Sequence, residues 1–246
     1  FDLLLDTQKL AWRSVSAWRV PHHRFRTAAT LWWGLDGAKV GPHALDSLFA
    51  LLEKAVGRPV PRDLSPLALP APLTAAAAAA LPGDAVPRIA LAPGAGSRIK
   101  CWPLDRFIAL AQAQQALGRE IVFLLGPQEA EWRARLSAAV PGAQFPEDHP
   151  AFAELERKAG PQPLRAVALA ARCTAAVAND AGPGHLIAAS GTPLLSLFGP
   201  TKPSKFSPVA ARSVVMRAQD FGGDGMDRIP GEAVANALEG LLAAPG

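Results

Sequence analysis

Short apolar runs alternate with longer helix-like runs between residues 88 and 243, and this alternation constrains the fold more than any other feature of the sequence. Strands that alternate with helices of about 10–15 residues are typical of βαβ units, whose parallel strands form a sheet with helices on both faces. The sequence therefore predicts an α/β fold with a Rossmann-type parallel sheet. The predicted strands are 88–92, 120–125, 175–178, 193–198 and 213–217, and the predicted helices are 103–117, 128–139, 164–173, 184–190 and 230–243.

The N-terminal part of the sequence shows weaker patterns. Residues 1–6 form an apolar run that predicts a strand, residues 10–20 fit a helix, and residues 21–40 fit no regular pattern. Residues 43–56 place their apolar side chains on one helical face, and Gly57 follows as a stop signal. A second helix is therefore predicted there.

A change in composition separates the two parts. Five prolines fall between residues 58 and 72, and an alanine tract follows at 75–80. Because proline removes a backbone donor and fixes φ, this stretch predicts a connector rather than part of the sheet. We therefore expect a partial N-terminal domain over 1–57, a Pro/Ala-rich linker over 58–87 and a C-terminal domain over 88–246.

The charges and cysteines limit the classes of partner. The formal net charge is only +4, and no run of five or six like charges occurs, so no nucleic-acid partner is expected. Cys101 and Cys173 fit no metal-ligand spacing, which predicts reduced thiols and no metal site. No apolar run reaches the roughly 18–20 residues of a membrane span. We expect a soluble, cytoplasmic protein with an anionic small ligand.

The loop after the first strand of the C-terminal domain contains Gly94, Gly96, Ser97 and Lys100. Glycines let the backbone approach a ligand, and a hydroxyl and a cation suit a phosphate. The loop is neither a P-loop nor a dinucleotide fingerprint, so a tight turn with a solvated lysine is the alternative. Ligands of open parallel sheets bind at the carboxyl ends of the strands, where this loop lies.

Two further loops follow predicted strands. Glu129 follows the strand 120–125 and either complements a helix N-terminus or accepts hydrogen bonds from ribose hydroxyls. The turn after 193–198 brings a hydroxyl on Thr201 and a cation on Lys202. All of these loops are expected at one rim of the sheet.

The segment 179–185 reads Asn-Asp-Ala-Gly-Pro-Gly-His and joins a strand to a helix. Free N–H groups and the positive dipole end at a helix N-terminus form a natural diphosphate cradle. Asp180, Gly182 and His185 are the candidates there. The alternative is that Asp180 is only an N-cap and His185 a hydrogen-bonded structural histidine. The concentration of such residues between two apolar strands favours a ligand site.

These loops, in this order, resemble glycosyltransferase family 9, the bacterial lipopolysaccharide heptosyltransferases and their relatives. The resemblance covers residues 88–240 and extends weakly to 1–14. The matching segments are Pro93-Gly94-Ala95, Lys100, Trp102-Pro103, Arg106-Phe107, Gly126, Glu129, Asn179-Asp180-Ala181-Gly182, His185, Gly191-Thr192-Pro193 and Phe198-Gly199-Pro200-Thr201.

The resemblance implies a GT-B architecture and a metal-independent, inverting transfer of a sugar. In that architecture the C-terminal domain holds the nucleotide-sugar and the N-terminal domain holds the acceptor. Lys100 would neutralise the diphosphate leaving group, Glu129 would hold the ribose, and Asp180 and His185 would contact the diphosphate or the donor sugar. The implied donor-site residues are Gly94, Ser97, Lys100, Glu129, Asp180, Gly182, His185 and Thr201.

The implied substrates are a nucleotide-diphosphate sugar such as ADP-heptose, with no separate cofactor, and a lipid-linked or core-oligosaccharide acceptor. The implied location is the cytoplasm, in peripheral contact with the inner membrane. The family's N-terminal loop with its acidic general base has no counterpart in this sequence, so the base is expected to be absent. Residues 219–224 also replace a cysteine-containing segment of the family. A non-catalytic nucleotide-binding remnant and a GT-B epimerase are the alternatives.

Overall fold

The computed structural model describes residues 3–6, 20–21, 24–27, 41–160, 162 and 164–244. Residue contacts divide the chain into two compact units. The first unit comprises residues 1–63 and 204–206, and the second comprises 64–203 and 207–246.

The first unit contains a pair of parallel strands and one long helix. Strand β1 (Leu3–Asp6) pairs with β2 (Arg24–Thr27), and helix α1 spans Ala44–Val56. His43 caps this helix by accepting from the Leu45 N–H at 3.2 Å. The strand predicted over 1–6 and the helix predicted over 43–56 are thus confirmed within the described residues.

The rest of the first unit was predicted less well. Strand β2 lies in the stretch that fitted no pattern and was therefore not predicted. Its four residues, Arg-Phe-Arg-Thr, are too few and too polar to resemble a buried strand in sequence. Apart from Val20, the helix predicted over 10–20 lies outside the described residues.

The second unit is built on a five-stranded parallel sheet, and the predicted α/β fold is confirmed. The spatial order is β4-β3-β5-β6-β7. The strands are β3 (Arg88–Ala92), β4 (Glu120–Phe123), β5 (Ala175–Asn179), β6 (Leu194–Phe198) and β7 (Ser213–Arg217). The chain runs outward from β3 to β4 and then returns to β5 on the other side of β3. This reversal makes a topological switch point at the carboxyl ends of β3 and β5, where open α/β sheets bind ligands.

Helices cover both faces of this sheet. One face packs against α3 (Leu104–Ala116) and α9 (Gly231–Ala243), and the other against α2 (Ala71–Ala80), α5 (Pro150–Ala159), α6 (Arg165–Ala170) and α7 (Gly182–Ala189). The remaining described helices are the short α4 (Arg133–Ala139) and α8 (Pro203–Phe206). Among the helices that the structure describes, none is long and apolar enough to cross a membrane.

The stretch predicted as a linker over 58–87 contains part of a core. Helix α2 includes the alanine tract and buries Leu73, Ala76 and Ala77 against the sheet. Leu81, just after the helix, is buried there as well. Alanine is short, so a helix made of it packs closely even without a bulky apolar stripe. The boundary between the two contact-defined units falls at 63/64, inside the predicted linker.

Two helical predictions need correction in the second unit. The helix predicted over 128–139 is a 3₁₀ helix over Pro127–Trp132 followed by α4. Helix α5 was not predicted at all, because residues 154–158 are mostly polar and Phe152 is its one fully buried residue. Its N-cap is His149, which accepts from the Ala151 N–H at 3.2 Å.

Candidate functional site

Asn179 fastens the loop after β3 to the end of β5. Its Oδ1 accepts from the Trp102 N–H at 3.0 Å, and its Nδ2 donates to the Pro93 carbonyl at 2.7 Å. The side chain is 1 % exposed. Both ends of the loop 93–102 are thereby held at the switch point by one buried amide. Asn179 belongs to a motif that was recognised in the sequence, but no role was predicted for it.

Lys100, Asp180 and Thr201 converge at this point from the ends of β3, β5 and β6. Lys100 Nζ lies 3.0 Å from Asp180 Oδ2, and the Thr201 hydroxyl donates to the same oxygen. Asp180 is 5 % exposed, whereas about a third of the Lys100 side chain is open to solvent. The cluster thus offers a cation at the surface, held from below by a buried carboxylate.

Glu129 lies beside this loop as a second buried carboxylate. It is 7 % exposed and packs against Gly94 and Gly126, where an added Cβ would lie only 2.4 Å and 2.7 Å from its carboxyl group. Within the described part of the chain, no residue makes a hydrogen bond or ion pair to its carboxylate. A buried carboxylate without a protein donor can accept hydrogen bonds from ligand hydroxyls.

A cavity of about 120 Å³ is lined in part by Glu129. Its lining comes from the loop after β3 and from the 3₁₀ helix after β4: Ala95, Gly96, Ser97, Arg98, Gln128 and Glu129. Ser97 was predicted as a donor-site residue and lies here. Arg98 and Gln128 were not predicted, because an exposed Arg and Gln resemble ordinary solvated side chains in sequence.

Arg98 connects the two walls of this cavity. Its guanidinium lies 4.3 Å from the Trp132 ring centroid and pairs with Glu131. Both charged partners are more than half exposed, so the ion pair contributes little to stability. Its effect is to hold the loop after β3 against the segment that carries Glu129.

Gly182 and His185 lie in the first turn of α7, directly after Asp180, and both are exposed. Gly184 in the same turn is buried, and a Cβ there would lie 3.4 Å from the Asn179 carbonyl. The first turn of α7 therefore lies close to the end of β5. Its N-cap, Ala181, makes no side-chain cap, and the Asp180 side chain is directed to Lys100 and Thr201 instead. Asp180 is therefore not the N-cap of α7.

The turn after β6 is shaped by residues 219–226. Gln219 donates through Nε2 to the Gly199 carbonyl at 2.6 Å and to Asp224 at 2.8 Å. Gly199 leaves no space for a side chain, since a Cβ would lie 2.7 Å from the Met226 sulfur. Residues 219–226 thus fix the turn that carries Thr201.

The family model for "Glycosyltransferase family 9 (heptosyltransferase)" matches residues 21–223. The chain belongs to this family. Lipopolysaccharide heptosyltransferase 2 of Escherichia coli K12 is 32 % identical over 133 residues, which are 53 % of this chain and 36 % of that protein. Lipooligosaccharide heptosyltransferase 2 of Haemophilus influenzae is 44 % identical over 52 residues, which are 21 % and 15 %. The matched segments thus span about a third or less of these relatives.

Solved structures of the family share the fold. A family 9 glycosyltransferase from Veillonella parvula superposes with a TM-score of 0.74 at 19 % identity, covering 98 % of this chain and 73 % of that one. The E. coli heptosyltransferase WaaC, solved with ADP, gives 0.73 at 21 % identity with the same coverage. The predicted α/β fold, which the resemblance describes as GT-B-like, matches the fold of these structures.

Proposed function

We propose that the second unit binds a nucleoside-diphosphate sugar and that the protein transfers the sugar in lipopolysaccharide core assembly. The contact among Lys100, Asp180 and Thr201 at the switch point is the observation that carries the proposal. Glu129 supports it, since it lines a cavity and its buried carboxylate has no donor among the residues that the structure describes. The relatives named as heptosyltransferases, and the structure of one with ADP, suggest ADP-heptose as the donor.

The chemistry follows from where charge develops. An acceptor hydroxyl attacks the anomeric carbon, the bond from that carbon to the diphosphate breaks, and its electron pair goes to the β-phosphate oxygen. Attack opposite the leaving group inverts the anomeric centre. Lys100 and the positive dipole end of α7 stabilise the new negative charge in place of a metal ion. The proton of the acceptor hydroxyl goes to a general base that we assign to no residue described here.

Asp180 takes a different role from a direct diphosphate ligand. A carboxylate beside a diphosphate would repel it, whereas Asp180 already accepts hydrogen bonds from Lys100 and Thr201. We infer that it holds these two donors in place and that Lys100, which is partly exposed, turns its remaining N–H bonds to the phosphate. Glu129 accepts from ribose hydroxyls. Gly94, Ser97, Gly182 and His185 complete the donor site.

The proposed acceptor is a lipid-linked or core oligosaccharide at the cytoplasmic face of the inner membrane. The names of the relatives support this assignment. Transfer to such an acceptor, followed by the release of ADP, tests it. The anomeric configuration of the product tests inversion, and activity in EDTA tests metal independence. ADP binding without transfer would favour the non-catalytic alternative.

Calorimetry of ADP binding tests the donor site directly. We expect Lys100→Ala and Asp180→Ala each to weaken ADP binding about tenfold, on the order of 1–2 kcal/mol. Lys158→Ala is the matched control, because Lys158 is exposed on α5 and pairs with Glu154 at 2.8 Å. Unchanged affinity for both site variants would refute this placement of the donor. A panel of ADP, GDP, UDP and CDP identifies the base.

A further inference from the structure

Glu147 completes the hydrogen-bonded edge of β4 at the point where that strand ends. Residue 144 runs alongside β4, with the Gln144 N–H donating to the Ile121 carbonyl at 2.8 Å and the Phe123 N–H donating to the Gln144 carbonyl at 2.9 Å. If this parallel ladder continued, residue 146 would donate its N–H to the Phe123 carbonyl and would accept from the Leu125 N–H through its carbonyl. That residue is Pro146, which has no N–H and begins a 3₁₀ helix.

The Glu147 carboxylate replaces the missing ladder acceptor. Its Oε1 accepts from the Leu125 N–H at 2.8 Å. Leu125 is the last residue before the turn at Gly126, and the 3₁₀ helix that carries Glu129 begins one residue later. A hydrogen bond from the side chain of Glu147 therefore fixes the backbone from which the Glu129 carboxylate is placed.

The segment around Glu147 is itself well held. The Phe145 ring stacks on Phe123 with centroids 5.6 Å apart, and the Arg133 guanidinium lies 4.9 Å from the centroid of Phe145. The acceptor for Leu125 is thus presented by a packed segment rather than by a free side chain.

The charges that face Glu147 come from two neighbouring helices. Arg133 at the start of α4 and Arg165 at the start of α6 both favour its ionised form, and each also pairs with another carboxylate, Asp148 and Glu156 respectively. Helix α2, which also packs against this segment, carries no charged residue. Helix α5 follows directly, and the Nδ1 of its N-cap, His149, is used by Ala151.

Burial nevertheless dominates the titration of this carboxyl. It raises the pKa of Glu147 to about 7, against the opposing effects of the Leu125 N–H and the two arginines. An ionised carboxylate accepts a hydrogen bond more strongly than its protonated form. The hold on Leu125 therefore weakens as the pH falls from about 8 to about 6.

We propose that Glu147 is a positioning residue of the donor site, which sets the turn after β4 so that Glu129 meets the ribose of a nucleoside diphosphate. The proposal rests on the donor site proposed above. Glu147 itself touches no substrate. Its effect on binding passes through the backbone of Leu125–Glu129.

ADP affinity of the whole chain, measured by calorimetry at pH 6 and pH 8, tests the proposal. At pH 8 we expect Glu147→Ala to bind ADP about five- to tenfold more weakly than the wild type. We expect Glu147→Asp to lose a similar amount because its carboxylate reaches less far. Glu147→Gln keeps an oxygen acceptor and is expected to lose only about two- to threefold.

The pH dependence separates positioning from a purely structural role. At pH 6 the wild type and Glu147→Gln are expected to converge in affinity, because both then present a neutral acceptor. The ratio of the two ADP affinities at each pH cancels the titration of the ADP phosphate, which affects both proteins equally. Glu239→Ala is the control, since Glu239 pairs with Arg119 and lies on α9, which covers the face of the sheet opposite the helices that pack against Glu147. It is expected to lower stability and leave ADP affinity unchanged.

The outcomes distinguish this proposal from the proposed function. If the wild type binds ADP and the folded Ala and Asp variants bind it equally well, the positioning role of Glu147 is overturned and the donor site stands. If the wild type binds none of the four nucleoside diphosphates, the donor site and the role of Glu147 fall together. A ratio of wild type to Glu147→Gln that is the same at pH 6 and pH 8 would also contradict the role.

Discussion

Replacing Asn179 with Ala should destabilise the second unit and weaken donor binding at the same time. The amide is 1 % exposed and makes two hydrogen bonds, at 3.0 Å from the Trp102 N–H and at 2.7 Å to the Pro93 carbonyl. Alanine leaves both backbone groups unpaired, and a buried unpaired group costs about 1–3 kcal/mol. The surrounding residues can relax partly into the space that the amide leaves, so we expect a loss of about 2–4 kcal/mol in the free energy of unfolding.

The same substitution releases both ends of the loop that carries Lys100. We therefore expect Asn179→Ala, measured below its unfolding transition, to bind ADP at least about tenfold more weakly. Urea unfolding gives the stability and calorimetry the affinity. Hydrogen exchange should show faster exchange at the Trp102 amide.

Thr192→Val is the matched control for Asn179→Ala. Thr192 is also buried and donates to the Ala170 carbonyl at 2.7 Å, but it lies before β6, at the other end of the sheet from the site. We expect it to lower stability by about 1–2 kcal/mol and to leave ADP affinity unchanged. A loss of less than 1 kcal/mol in Asn179→Ala, or equal ADP affinities in the two variants, would refute the reasoning.

Two further predictions concern the carboxylates beside the site. Gly94→Ala places a Cβ 2.4 Å from the Glu129 carboxyl carbon and should weaken ADP binding about tenfold by displacing it, whereas Gly240→Ala on α9, with nothing within 4 Å, should bind as the wild type does. Equal affinities in the two glycine variants would contradict the role of Glu129. For Glu147, a pKa raised from 4.5 to about 7 means that the wild type loses stability as the pH rises between these values. Glu147→Gln should therefore match it near pH 4 in thermal or urea unfolding and exceed it at pH 8 by up to about 3 kcal/mol; no difference at pH 8 would show that the carboxyl is not desolvated.

The alternation of apolar strands and amphipathic helices was sufficient to predict the parallel sheet of the second unit, whereas the family was predicted from the resemblance of the loop motifs that follow the strands. Each strand from β3 to β6 has a local signal, since buried parallel strands need continuous apolar residues and turns need glycine or proline. Strand β7 is a largely exposed edge strand. The order of the strands is not local. That β5 returns beside β3 depends on which faces are buried, and so the switch point appears only in the tertiary structure.

The same division holds for the candidate site. Lys100, Glu129, Asp180 and Thr201 were singled out from sequence because they lie in loops that follow apolar strands, where open parallel sheets bind their ligands. That they divide into one hydrogen-bonded cluster and one carboxylate without a protein donor could not be deduced, because 80 residues separate Lys100 from Asp180.

Residues that act through the backbone left the weakest signal in the sequence. Asn179 and Glu147 are ordinary polar residues by composition, and their roles depend on which distant N–H or carbonyl group faces them. Sequence by itself determined which side chains stand at the ends of the strands, because local periodicity and turn chemistry fix the strand ends. Only the tertiary structure decided which of them pair, which stay open to a ligand and which hold the loops in place, because those pairings join residues far apart in the chain.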